Sequence, residues 1–449
     1  NELTLKKQTT VTQHPQKIQT TANMEVWHQL DTHFKTPKNS LYLALHHPQA
    51  SQSPKSSLLA SLLAGMLEKQ LNSYAYPAKL AGLNYAIYPT DRGLTIRISG
   101  YAQKQTVLLE RILDALNHPE MTEKRFAILK NRFQQDLKNA QKQQPFQQIL
   151  AELKRSLVER HWTNQQKLEA LQGLSLNDLA HFSQQFIHEL HLSLLVQGNT
   201  DTQEAKQIAL LIQQQLAQPQ PTKLVPAAQV VQLPADSIHA RHLEIDHQDA
   251  ALALYFQAKD NSIHSQAANH LLGALLSPAF FADLRTRQQL GYNIGAAALP
   301  IKDVPGLVFI LQSSVISAVE IEQRIQAFIK IFEQQLTAMP STEFEQYKAG
   351  LITRLLEKDK NLQKSSYRNW LEIDRKNADF NTKQQIAAAV KDINQAELLA
   401  IYNETFITQP RTFRSYARGT QFTQQDFTQK QLIPNLDLFK QNNLKFPLK

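Results

Sequence analysis

A chain of 449 residues with 42% hydrophobic content is long enough to bury more than one core, and its apolar stretches are interrupted well short of the ~20 residues that cross a bilayer. Its net charge of +9, from 48 Lys and Arg against 39 Asp and Glu, is dispersed without the aromatic-studded basic cluster of a nucleic-acid binder, so neither nucleic acid nor membrane is expected as a partner. The absence of cysteine excludes disulfides, thiolate catalysis and Cys-based metal sites but does not fix the compartment. A start at Asn1, without methionine or a leader, is expected of a fragment or processed product.

Along the chain, Ser40 to His47 (SLYLALHH) has the composition of a strand, Ser57 to Leu71 that of a helix, and Leu83-Asn84-Tyr85 and Gly93 to Tyr101 those of two further strands. His188, Glu189 and His191 imitate a metal motif. Their spacing is wrong for one helix face, and they lie where a helix runs into the strand Leu192 to Val196, so they are expected to be structural. Residues 218–228 (QPQPTKLVPAA) carry three prolines and predict a linker. His239, His242 and His247 fall on both faces of a predicted strand and should not converge on a metal.

Beyond the linker the same order of elements returns. Ala250 to Gln257 (AALALYFQ) answers Ser40 to His47, His264 to Phe280 answers Ser57 to Leu71, and Leu290-Gly291-Tyr292 answers Leu83-Asn84-Tyr85. Gly306 to Ser314 (GLVFILQSS) answers Gly93 to Tyr101, and Tyr402, Phe406 and Ile407 answer Phe182, Phe186 and Ile187. Three segments follow: a first repeat domain over 1–217, the linker over 218–228, and a second repeat domain over 229–449. The stripe Ile321, Ile325, Phe328, Phe332, Leu336 predicts a buried helix face. Ser317 with Glu320 and Thr342 with Glu345 have capping-box spacing, predicting two successive helices around Pro340. The expected fold is α+β: two homologous two-layer α/β sandwich domains, each a largely antiparallel sheet with helices on one face. Lys430, Lys440, Lys445 and Lys449 form a basic tail expected to be solvated.

The stretch Phe280 to Gly295 (FFADLRTRQQLGYNIG) carries the chemistry. Helical apolar spacing runs through Leu284, and Gly291 is expected to stop the helix, placing Arg285 in its last turns and Tyr292 just beyond. Both side chains donate hydrogen bonds and neither is a good base, so together they suit stabilisation of negative charge. Taken alone, they read more readily as a surface salt bridge and a packed ring than as a catalytic pair. The first repeat has Tyr85 but carries Ala78 where the second has Arg285, so Tyr85 is expected to be structural.

Phe281, Leu284, Arg285, Gln289, Leu290, Gly291 and Tyr292 resemble the F-x-x-L-R-x-x-x-Q-L-G-Y signature of the C-terminal half of the pitrilysin and insulin-degrading enzyme family, the inverted-motif (H-x-x-E-H) zinc peptidases. The likeness extends more loosely from NSLYLALHHP to YNETFI. The fifteen histidines form neither H-x-x-E-H nor H-E-x-x-H. The resemblance therefore implies a non-zinc half, itself inactive, that closes over a zinc-bearing N-terminal half around a peptide. It also implies a bacterial member would be periplasmic. By resemblance, Tyr292 would hydrogen-bond the scissile carbonyl oxygen, Arg285 would hold the neighbouring substrate backbone, and Phe281 would line the apolar wall after the cleaved bond. Two alternatives are a non-catalytic partner or scaffold subunit of a processing-peptidase-like complex, and a nucleic-acid-binding module. Such partner subunits carry a glycine-rich loop, whereas this chain has 12 glycines and no cluster.

Overall fold

The computed structural model describes residues 5–6, 12–216, 224–422 and 432–447. Eleven strands form two sheets. The first contains β1 (Gln16–Thr20), β2 (Met24–Leu30), β3 (Lys38–His46), β4 (Leu83–Thr90), β5 (Gly93–Tyr101) and β6 (His191–Gly198) in the order β1-β2-β6-β3-β5-β4. The second contains β7 (Ser237–Glu244), β8 (Ala250–Gln257), β9 (Ile294–Ala298), β10 (Gly306–Ser313) and β11 (Arg411–Arg418) in the order β7-β11-β8-β10-β9. Each sheet has one parallel pair, β2 with β6 and β7 with β11, and is otherwise antiparallel. The repeat inferred from sequence is thus one topology used twice, with β1 added to the first copy. The linker expected at 218–228 lies outside the described residues up to 223.

Each sheet rests one face on its own helices. Leu41, Leu43 and Leu45 of β3 enter a core with the helix Pro54–Leu80, and Leu252, Leu254 and Phe256 of β8 enter a second core with the helix Ile263–Phe280. The stripe Ile321 to Leu336 is buried in that second core, and Ser317 and Glu320 form the expected capping box. Thr342 and Glu345 do not cap. The following helix, Ser341–Leu355, starts after Pro340 without a side-chain cap.

The opposite faces are also buried, and here the repeats exchange helices. Helix Pro145–Leu157 of the first repeat lies on β8, β10 and β11 of the second sheet. Helix Leu362–Asp374 of the second repeat lies on β3 and β6 of the first. Both have thirteen residues. Ile149, Leu153 and Leu157 pack with Ala251, Ala253, Tyr255 and Phe413, while Trp370 and Ile373 pack with Trp27, Tyr42 and Leu195. The Trp370 ring stacks on Tyr42 with centroids 5.4 Å apart and planes 14° from parallel. Hydrogen bonds also tie each exchanged helix to the sheet beneath it: Gln197 bonds Ser365 and Asn369 at 3.2 and 3.0 Å, and Gln312 accepts from the Phe146 N–H at 3.3 Å. The helices-on-one-face expectation is therefore extended by a lent helix on the second face of each sheet, joined on the second sheet by the helix Leu436–Asn442.

The basic tail is not a solvated end where it is described. Lys440 is buried in the helix Leu436–Asn442, and its ammonium donates to the His161 carbonyl at 2.6 Å. Lys445 lies 3.8 Å from Glu159. Lys430 and Lys449 fall outside the described residues. The lysine stems cover apolar surface, which favours docking over solvation.

Trp370→Ala should cost ~3–5 kcal/mol in urea denaturation, because it strips the ring that seats one repeat's helix on the other's sheet. Burial lowers the Lys440 ammonium to about 8 from its ordinary 10.5. Folding therefore opposes protonation: the penalty is fully present below pH 8 and is relieved as pH rises from about 8 to 10.5. Wild-type stability should rise across that window relative to Lys440→Met, by up to ~3 kcal/mol, as read from parallel denaturation curves; equal slopes would contradict it.

Candidate functional site

Ser262 caps the helix Ile263–Phe280, whose buried residues include Leu271, Leu272, Leu275, Leu276 and Phe280. It does not end as an ordinary helix. From Phe281 to Arg287 the backbone widens into a π-helical segment, with Gln288 N–H donating to Asp283 O at 2.9 Å and Leu290 N–H to Leu284 O at 3.1 Å. Such segments are rare, and they concentrate at functional sites because the wide turn redirects side chains. Leu284 and Leu290 anchor it in the core, which leaves Phe281 and Arg285 on its outer side.

Gly291 was expected to stop the helix, but the left-handed residue is Gln289, with φ +55°. Gly291 serves another need. A Cβ there would lie 1.9 Å from the Gln312 carbonyl oxygen, so only glycine lets the turn approach β10 this closely. Tyr292 follows at once, and β9 begins at Ile294.

The turn brings Arg285 and Tyr292 together, with Phe281 exposed at the start of the same π-helical segment. The Arg285 guanidinium sits 4.7 Å from the centroid of the Tyr292 ring, a cation–π arrangement. Tyr292 is 85% exposed and Phe281 47% exposed. Neither bland alternative describes them: Tyr292 is not packed in a core, and among the described residues Arg285 has no salt bridge. The neighbouring Arg287 is held instead, its Nε and Nη2 donating to Asp283 at 2.9 and 2.5 Å, with Gln288 on the same oxygen at 2.8 Å.

Sequence reading missed the support beneath this turn. Buried Gln312 of β10 donates to Asp249 at 2.8 Å and to Gln144 at 3.2 Å, and its amide oxygen receives Asn293 at 3.3 Å and the Phe146 N–H. Gln144 and Phe146 begin the exchanged helix of the first repeat, so that repeat braces the turn of the second. A lone buried Gln in the strand GLVFILQSS was the available signal.

The first repeat lacks this apparatus. Its helix Pro54–Leu80 continues as α-helix to its end, Ala78 and Tyr85 pack partly buried against the first core, and Tyr85 sits within the β4 ladder opposite Ile98.

Among the described residues no three His, Asp or Glu side chains are grouped to hold a metal. His188 is exposed while His191 is buried, its ring 6.3 Å from that of His46. His239 lies 5.0 Å from the Phe439 ring, and His242 is 3.6 Å from Glu244. Among the described residues, then, neither the His188–His191 pair nor His239 and His242 converge as metal ligands.

Residues 1–170 match the family model described as the middle or third domain of peptidase M16, and residues 271–370 match that of the PQQ synthase PqqF-like C-terminal lobe, domain 4. The insulin-degrading enzymes of Homo sapiens and Drosophila melanogaster are 30% and 29% identical over 400 and 398 residues, covering 88% and 87% of this chain. The chain spans about 40% of the length of these relatives, 39% and 40% respectively. Pitrilysin superposes with a TM-score of 0.92 at 22% identity, over 99% of this chain and 48% of that one. A peptidase M16 inactive domain from Pseudomonas fluorescens superposes with a TM-score of 0.69 at 15% identity, over 90% of this chain and 98% of that one. With a peptidase M16 domain model matched over residues 1–170, a C-terminal lobe model over 271–370 and relatives aligned along most of its length, the chain belongs to the M16 peptidase family, consistent with its C-terminal half.

Proposed function

We propose that this chain is the non-zinc half of a zinc-dependent endopeptidase that degrades peptides, and that it closes over a zinc-bearing N-terminal half to supply Arg285 and Tyr292 to the substrate. The observation that carries the reading is the exposed Tyr292, presented beside Arg285 by a turn that is itself rigid. Exposing a large aromatic forgoes its burial energy, ~1.5–3 kcal/mol for a side chain of this kind, and a fold that buries Phe280, Leu284 and Leu290 around it could bury it too. The exposure is explained if a ligand completes the contact.

In this reading a zinc ion held outside this chain would supply Lewis-acid polarisation of the scissile carbonyl and an activated water. The Tyr292 hydroxyl donates to the carbonyl oxygen as negative charge develops there. The adjacent Arg285 guanidinium favours that charge and holds the neighbouring peptide backbone. Phe281 offers an apolar wall beyond the cleaved bond. These donors arrive on closure, already oriented by Gly291 and Gln312, so they need little reorganisation at the moment of reaction.

In the full enzyme, Tyr292→Phe removes one hydroxyl from a solvated ring. Thermal stability should be unchanged while kcat falls ~10-fold or more, toward the ~10²–10³ typical of a lost oxyanion donor. Arg285→Ala should lower kcat and raise KM together, because a backbone-holding contact acts in ground and transition states alike. Tyr85→Phe should leave turnover unchanged. Full activity of Tyr292→Phe would sink the assignment. The isolated chain should carry no stoichiometric zinc by metal analysis and cleave no peptide; one tightly held zinc with chelator-sensitive proteolysis would contradict this.

A further inference from the structure

A pocket of about 450 Å³ lies on the first repeat, walled by Ser57 and Ser61 of the helix Pro54–Leu80, by the β4–β5 turn at Pro89 to Asp91, by the end of the exchanged helix at Lys154 and Arg155, and by Arg160, His161 and Lys167. It is separate from the Arg285–Tyr292 turn. Its charge is lopsided. Among the described residues Lys154, Arg160 and Lys167 have no carboxylate partner, and the two nearby acids are already engaged: Asp91 with Lys302 at 2.8 Å and the Ala228 N–H at 2.7 Å, and Glu152 with Arg241 at 2.9 Å.

The guanidiniums are underused as well. Arg155 donates Nη1 to Asn164 at 3.1 Å, but its Nε stands 3.6 Å from Glu152, beyond hydrogen-bond reach. Arg160 donates Nη2 to the Pro226 carbonyl, and its Nε is buried with no acceptor. Desolvation, with the neighbouring charge of Arg155, lowers the Lys167 ammonium below its ordinary value. Cations gathered in a partly buried space, offset only by the already engaged carboxylates of Asp91 and Glu152, repel one another and lose hydration, a cost that a bound anion reduces. Two planar forks with two point charges suit a compact anion bearing several oxygens.

We propose that this pocket binds a phosphate group, as the free ion or as the terminal group of a small phosphate ester, through Arg155, Arg160, Lys167 and Lys154. Lys154 and Arg155 belong to the helix seated on the second sheet, whereas the β4–β5 turn and the helix Asn164–Gln172 belong to the first repeat. The anion would therefore tie the exchanged helix back to its own repeat and strengthen the joint between the two.

The test titrates the protein with inorganic phosphate and with a short-chain alkyl phosphate, against chloride at matched ionic strength, following the thermal midpoint and isothermal heats. Phosphate should raise the midpoint saturably, and Lys154→Gln, a substitution at an exposed position, should weaken binding about tenfold or more while leaving the unliganded midpoint unchanged. Lys167→Gln should also weaken binding, and Lys330→Gln, on a distant helix, should not. Binding of inorganic phosphate alone assigns the site to the free ion, and equal binding of the ester to a terminal phosphate group. No saturable effect beyond chloride, or equal weakening by Lys330→Gln, would overturn the site.

Discussion

The whole molecule depends on burying both faces of two sheets with one helix lent in each direction. A sheet covered on one side only would expose the Tyr42, Ala44 and Leu195 face of the first repeat and the Ala251, Ala253 and Tyr255 face of the second. Among the described residues, the lent helix covers that face of the first sheet, and the lent helix together with Leu436–Asn442 covers that of the second. Exchanging Pro145–Leu157 for Leu362–Asp374 makes each repeat complete only with the other. The consequence is rigidity at the joint: relative motion of the repeats would open two packed interfaces together with the Asp91–Lys302 and Arg92–Asp374 ion pairs.

That joint reaches the candidate site through Gln312. The residues that begin the lent helix, Gln144 and Phe146, hydrogen-bond the same glutamine whose carbonyl oxygen crowds Gly291. The exposed Arg285–Tyr292 pair therefore stands on a support assembled from both repeats. The first repeat retains the scaffold but not the π-helical widening, and its equivalent tyrosine is a strand residue packed on a core. One fold used twice thus yields one structural copy and one that presents donors outward.

Much of this was legible in the sequence. The repeat, the strand and helix order and the apolar stripes follow from hydrophobic periodicity, which burial dictates directly. Arg285 and Tyr292 were singled out as donors near a helix end, whereas Phe281 and the roles of all three came only from the resemblance. The exchange of helices was not legible, since an amphipathic helix shows that it has a buried face but not which sheet it meets. Its one trace was the continuous apolar run AALALYF, which fits a strand buried on both faces. Gln289 in place of Gly291 as the left-handed residue, the uncapped start at Ser341 and the docked Lys440 were missed for a related reason. Each is decided by contacts with segments distant in sequence, which override the local preference.

The most direct measurement is a structure of the full enzyme holding a phosphinic peptide that mimics the tetrahedral intermediate at the metal. The account predicts that the Tyr292 hydroxyl lies ~2.7–3.1 Å from the tetrahedral oxygen, with Arg285 on the adjacent peptide backbone and the Gly291 turn unmoved. A closed complex in which Tyr292 points to solvent, or in which another side chain occupies that oxygen, would contradict it.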